Sequence, residues 1–118
     1  MQISEAGLLA SLKCELLFVE QGGYRSFFSP WRSALLLEDS LTCPKRGFDR
    51  RCLEQPCPWL SFVPLEHYFE EVPCRHIPLS NCGETIDVLY RTATPEECEE
   101  CFHTWLISVV AGFERLAS

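Results

Sequence analysis

Apolar and polar positions follow two rhythms along this chain, and the clearer one comes last. Cys98, Cys101, Phe102, Trp105, Leu106, Val109, Val110, Phe113 and Leu116 recur at steps of three and four residues. That spacing places side chains on one face of an α-helix. Glu99, Glu100, His103 and Glu114 take the other side. Thr94-Pro95-Glu96-Glu97 opens the run with a hydroxyl at the N-cap, proline at N1 and a carboxylate at N3, the capping-box arrangement. The pattern predicts a helix over 95–116.

The earlier rhythm is alternation. Over 12–20, Leu12, Cys14, Leu16 and Phe18 would share one face, with Lys13, Glu15, Leu17 and Val19 on the other, which reads as a strand. Residues 2–10 read as a short helical or irregular lead-in. Gly22-Gly23 ends the first strand, because glycine takes positive φ without steric cost. After a loop over 24–33, residues 34–39 read as a second strand, apolar on both faces and therefore central. Residues 74–79 and 85–91 alternate as the arms of a hairpin turned at 80–84. Between them, Pro44, Gly47, Pro56, Pro58 and Pro64 oppose both helix and central strand. The fold class expected is α+β: a small mixed or antiparallel sheet of four or more strands, open or closed into a partial β-barrel, with one C-terminal amphipathic helix packed on it. The chain divides as a single domain, 1–118. Within it lie a strand-loop-strand unit (12–39), a Cys/Pro-rich irregular segment (40–73), a hairpin (74–91) and a helix (95–116).

Size and composition agree with one folded unit. A chain of 118 residues suits one domain, and 47% hydrophobic against 23% charged residues excludes a disordered class. Apolar runs fall short of the ~18 residues that span a bilayer, and Glu5 stands where a signal peptide wants Lys or Arg. A cytoplasmic protein without membrane insertion is the expectation. The net charge of −7 is uneven. Arg25, Arg32, Lys45, Arg46, Arg50 and Arg51 outweigh three acids over 25–52, while eleven acids face three arginines over 53–118. Global acidity repels phosphate backbones, which favours a protein partner or a homodimer over nucleic acid.

One stretch resembles a known family. Within 15–37, Glu20, Gly22-Gly23, Phe27-Phe28 and Trp31-Arg32 follow the order found in the third, β-barrel domain of elongation factor Tu. That family has a proline before its Phe-Phe pair and a tyrosine where Trp31 stands, so the spacing departs by one residue. The resemblance covers about a fifth of the chain and implies a strand-loop-strand unit in a barrel-like sheet. No G-x-x-x-x-G-K-[ST] nucleotide motif accompanies it. In the family this barrel contacts tRNA and protein partners; here such contacts would rest on Arg25 and Arg32.

Eight cysteines set the candidate chemistry. Cytosolic disulfides are rare, so the thiols serve a metal, redox chemistry or core packing. Cys43, Cys52 and Cys57 lie in the irregular segment and Cys74-x-His76 follows. On a strand, residues two apart share a face, so Cys74 and His76 could join the loop cysteines around a structural zinc. The alternative is that these thiols are partly buried hydrophobes. Cys98-Glu99-Glu100-Cys101 is a C-x-x-C near a helix start, but four glutamates crowd it and raise a thiol's pKa, and both cysteines lie on the apolar stripe. Core packing is the better reading there. His67 and His103 read as ordinary surface residues. Tyr24, Arg25, Phe27, Phe28, Trp31 and Arg32 interleave aromatics with arginine, the usual material of binding hot spots. The function expected is a non-enzymatic interaction module stabilised by zinc, with a thiol-dependent redox or small-molecule enzyme as the alternative. Should the closing helix carry more apolar surface than the domain covers, Trp105, Val109 and Phe113 would mediate homodimerisation, which light scattering at high concentration would register.

Overall fold

The computed structural model of the chain describes residues 5–24, 36–38, 40, 42–43, 57–79 and 83–117. Their elements are helix α1 (Glu5–Glu20), 3-10 turns at Pro58–Phe62, Leu65–His67 and Pro73–His76, strands β1 (Pro78–Leu79) and β2 (Glu84–Thr85), and helices α2 (Ile86–Thr92) and α3 (Pro95–Ala117). The architecture is α+β, with the long C-terminal helix packed on the rest and a small antiparallel sheet. Among the described residues that sheet is β1 against β2, in the register Pro78↔Thr85 and Leu79↔Glu84.

The first strand expected is instead a helix. Leu8, Leu12, Glu15 and Val19 are buried at steps of four, three and four, while Cys14 and Leu17 face solvent. Residues 16–19 are all apolar, so they satisfy a period of two as readily as 3.6. Between Glu5 and Phe18 there is no proline and no β-branched residue, and leucine, alanine, lysine and glutamate favour helix. The glycine pair ends this helix rather than a strand. Gly22 takes φ 76°, its N–H donates to the Val19 carbonyl at 3.0 Å, and the Gly23 N–H donates to Phe18 at 2.8 Å. That is a Schellman cap. The Phe18 ring lies over Gly23, where a Cβ would meet it at 2.5 Å.

Two more strand expectations are corrected. Within 34–39, the described residues 36–38 form a turn, with the Glu38 N–H bonded to the Leu36 carbonyl at 2.8 Å and Leu37 at φ 67°. A γ-turn with positive φ is strained for leucine. It persists because Leu37 is buried and its N–H donates to the Tyr24 hydroxyl at 2.8 Å. Residues 86–92, the second hairpin arm by alternation, are helical. The Thr85 hydroxyl caps that helix by accepting from the Val88 N–H at 3.2 Å, and Ile86 and Leu89 point inward at a helical step of three. The hairpin survives as two residues on each side.

α3 forms as its pattern predicts. The Thr94 N–H donates to the Glu97 carboxylate at 2.8 Å and the Glu97 N–H to the Thr94 hydroxyl at 3.1 Å, a closed capping box. These bonds hold the Glu97 carboxyl below the usual carboxylate range. Cys98, Cys101, Phe102, Trp105, Leu106 and Val110 are buried, and Val109 and Phe113 pack at the rim. Trp105 is 4% exposed, so it is covered within the chain rather than left for a second copy. Glu99, placed on the polar side by the pattern, is buried where α3 faces α1. The two helices run antiparallel, since Lys13 pairs with Glu114 at 3.1 Å and Glu20 with His103 at 3.0 Å.

The buried face of α1 carries a carboxylate into this core. Glu15 is fully buried and accepts from the hydroxyls of Tyr24, Ser40 and Thr42, the last at 2.8 Å. Thr42 in turn accepts from the Trp59 indole N–H at 3.0 Å. Burial raises the carboxyl above its ordinary range, and the three hydroxyl bonds lower it only in part. A carboxyl that keeps its proton more firmly when folded favours the fold most at low pH. Its contribution declines as pH rises from about 4.5, the ordinary value, through the raised folded value. The difference in urea stability between wild type and Glu15→Gln should therefore shift in favour of Gln across that window. Glu15→Ala, which leaves three hydroxyls without their acceptor, should cost on the order of 3 kcal/mol.

Candidate functional site

Prolines 58, 64, 73 and 78 punctuate the segment before the hairpin, and each removes a donor and clashes with a continuing α-helix. Short 3-10 turns result, with proline at the first positions of Pro58–Phe62 and Pro73–His76. The inward side chains tie this segment down. Trp59, Val63, Pro73, Ile77 and Leu79 are buried, and Phe62 meets Trp105 edge to face with ring centres 5.2 Å apart. A second tie joins it to the 36–38 turn. Arg75 donates to both Glu38 carboxylate oxygens at 2.9 and 3.0 Å and lies over the Tyr90 ring at 5.8 Å. The Glu38 bond raises the guanidinium's pKa, and burial followed by the Glu38 charge pushes the Tyr90 phenol far up.

On the outer side of this scaffold, His67, Glu70 and His76 converge. One donor atom from each lies within 4.8 Å of the others. Glu70 Oε2 is 3.1 Å from His76 Nε2 and 3.8 Å from His67 Nδ1, and the imidazoles stack with centres 4.1 Å apart and planes 3° from parallel. Local turns bring them together: the His67 N–H bonds to Pro64, the Glu70 N–H to His67 and the Arg75 N–H to Val72. The neighbours Leu65 and Phe69 are 77% and 88% exposed. Two imidazoles and a carboxylate form a donor set that suits a borderline divalent ion.

The site foreseen from the cysteines differs from this one. Of Cys43, Cys52, Cys57, Cys74 and His76, Cys52 lies outside the described residues, and the described cysteines are half-buried thiols that do not join the converging set. Cys74 and His76 would share a face on a strand. They stand instead in the 3-10 turn Pro73–His76, where a step of two leaves side chains about 120° apart around the axis, not on one face. His76 meets Glu70 there. His67 and Glu70 were missed; the signal available was H-x2-E closed in between Pro64 and Pro73, with His76 just beyond. Among the aromatic and basic candidates, Tyr24 is a core residue, 3% exposed and bonded to Glu15, not a surface stacker. Arg25, Phe27, Phe28, Trp31 and Arg32 lie outside the described residues. Residues 15–20, a strand by the elongation-factor resemblance, belong to α1.

The C-x-x-C is not a paired dithiol. Cys98 is a buried thiol donating to the Leu89 carbonyl at 3.4 Å, whereas Cys101 takes part in a disulfide. Burial, and after it the Glu97 charge, pushes the Cys98 thiol up, away from the reactive range. Beside it, Val19, Glu20, Gly22, Glu96, Glu99, Glu100 and His103 line a cleft of about 440 Å³. No helix among the described residues is long and apolar enough to cross a membrane. Comparison with known protein families, characterised proteins and solved structures finds no match to this chain.

Maleimide labelling of the native protein followed by peptide mapping should modify exposed Cys14 readily and Cys98 only after unfolding. Equal labelling of both would contradict the packing described for Cys98.

Proposed function

We propose that this protein is a non-catalytic interaction module whose contact surface is the segment 65–71, presented by the proline-punctuated scaffold. The observation that carries the reading is the pair Leu65 and Phe69, 77% and 88% exposed although the chain has a core large enough to bury such side chains. Two large apolar residues projecting from adjacent turns are knobs, and they fit a partner that supplies the pocket. Glu66, Glu70 and Glu71 surround them and are exposed, so the matching pocket has a basic rim. A second copy of this chain carries the same acidic rim, so two such surfaces set face to face would repel. The partner is therefore a different protein with an apolar pocket edged by lysine or arginine. Thiol redox chemistry is disfavoured by the burial of Cys98 and the raised pKa of its thiol.

A photocrosslinking amino acid placed at position 69 should give discrete protein adducts, and the same residue at exposed Thr104 on α3 should not. Leu65→Ser and Glu71→Lys should each reduce the position-69 adducts several-fold, and added salt should reduce them further. Adducts of equal yield at both positions, or insensitive to Leu65→Ser, would overturn the reading.

A further inference from the structure

The geometry points to a divalent metal site of the zinc class, formed by His67, Glu70 and His76, that cross-links two turns of the proline-punctuated segment. It rests on donor atoms and not on the exposed apolar pair, although Glu70 belongs to both surfaces.

Distances between donors come first. Ligand atoms at about 2.0–2.1 Å from a tetrahedral zinc ion lie about 3.3 Å from one another. His76 Nε2 to Glu70 Oε2 is 3.1 Å, and His67 Nδ1 to the same oxygen is 3.8 Å. The carboxylate oxygen thus sits at ligand spacing from one imidazole and within half an ångström of it from the other. The rings supply the remaining condition. Imidazole lone pairs lie in the ring plane, and planes 3° from parallel do not converge. Binding therefore opens the stack by rotation of the two side chains. Both have room to turn, since their side chains are 35% and 24% exposed.

Ligand type and access select the ion. Two neutral imidazoles with one carboxylate suit zinc and its first-row neighbours, whereas magnesium and calcium prefer oxygen throughout. Three protein ligands leave a tetrahedral ion one open position, filled by water in the isolated chain. The gain to the protein is order. His67 and His76 belong to separate 3-10 turns, each held by only a few backbone bonds, and a shared ion would fix one against the other. Glu66 lies 3.8 Å from His67 Nε2, a proximity of charge to the ring edge opposite Nδ1 and too long for a hydrogen bond.

The test is titration of the metal-free protein, its disulfide left intact, with zinc chloride, followed calorimetrically. Cobalt(II) serves as a spectroscopic probe and magnesium as a control. One zinc ion per chain is expected, with no magnesium uptake. His67→Ala and His76→Ala should each weaken affinity by at least about 100-fold, since loss of an outer-shell partner alone costs 10–100-fold. Circular dichroism would verify that these half-exposed substitutions leave the fold intact. The cobalt complex should lack the thiolate charge-transfer band that cysteine ligation produces. Absence of zinc uptake, equal uptake by both histidine variants, or a strong thiolate band would each overturn the site; the last would return the metal to the cysteines.

Discussion

The structure depends on a carboxylate placed where a leucine would ordinarily sit. Glu15 lies on the buried face of α1 between Leu12 and Val19, and it can stay there because Tyr24, Ser40 and Thr42 all turn hydroxyls toward it. An uncompensated carboxyl in such a place would cost several kcal/mol. The donors come from two parts of the chain, so satisfying one acceptor fixes the end of α1, residues 40 and 42 and, through the Thr42–Trp59 bond, the segment starting at Pro58. Hydrophobic contact alone would hold these parts together without specifying their register. Directional bonds to one buried acceptor do specify it. The strained turn at Leu37 belongs to the same system, since its N–H bonds to the Tyr24 hydroxyl that serves Glu15.

From that anchor the proline-punctuated segment follows a course set by two fixed ends. Trp59 is held through Thr42, and Arg75 is clamped to Glu38 and covers Tyr90. Between these ties the chain cannot form a long helix, and its short turns send Trp59, Val63 and Pro73 inward while Leu65, Phe69 and the glutamates face outward. His67, Glu70 and His76 converge because both their turns are pinned from below. The bottom layer is packing, and the top layer is chemistry.

How much of this was legible in the sequence varied with how local its cause was. The course of α3 was legible, because its cap, stripe and length lie in consecutive residues; the burial of Glu99 and the exposure of Leu116 were not. The position of the hairpin was legible, and so was the role of Gly22-Gly23 as a terminator, though of a helix. α1 was misread because 16–19 are apolar without a break, and because Glu15 looked like the polar half of an alternation when it was a core residue with distant partners. Those partners, at 24, 40 and 42, carry no mark of their common target. The cysteine-centred metal reading rested on one geometric premise, that Cys74 and His76 share a face as on a strand; they lie in a 3-10 turn, and Cys52 lies outside the described residues. Proline at 73 made a turn of the stretch instead, and that turn brought His76 to His67 and Glu70. The aromatic and basic residues of 25–32 lie outside the described residues.

The antiparallel pairing of α1 with α3 has a consequence for the birth of this protein. Glu20 meets His103 across 83 residues, which a ribosome adding about 5–20 residues per second takes roughly 4–17 s to span. Once past the tunnel, the first helix waits with its leucines bare until α3 follows, its inner glutamate lacking Ser40 and Thr42 until those emerge. A nascent chain in this condition is a client for any chaperone waiting at the exit, and a premature stop before residue 98 would release it with its oily flank permanently uncovered.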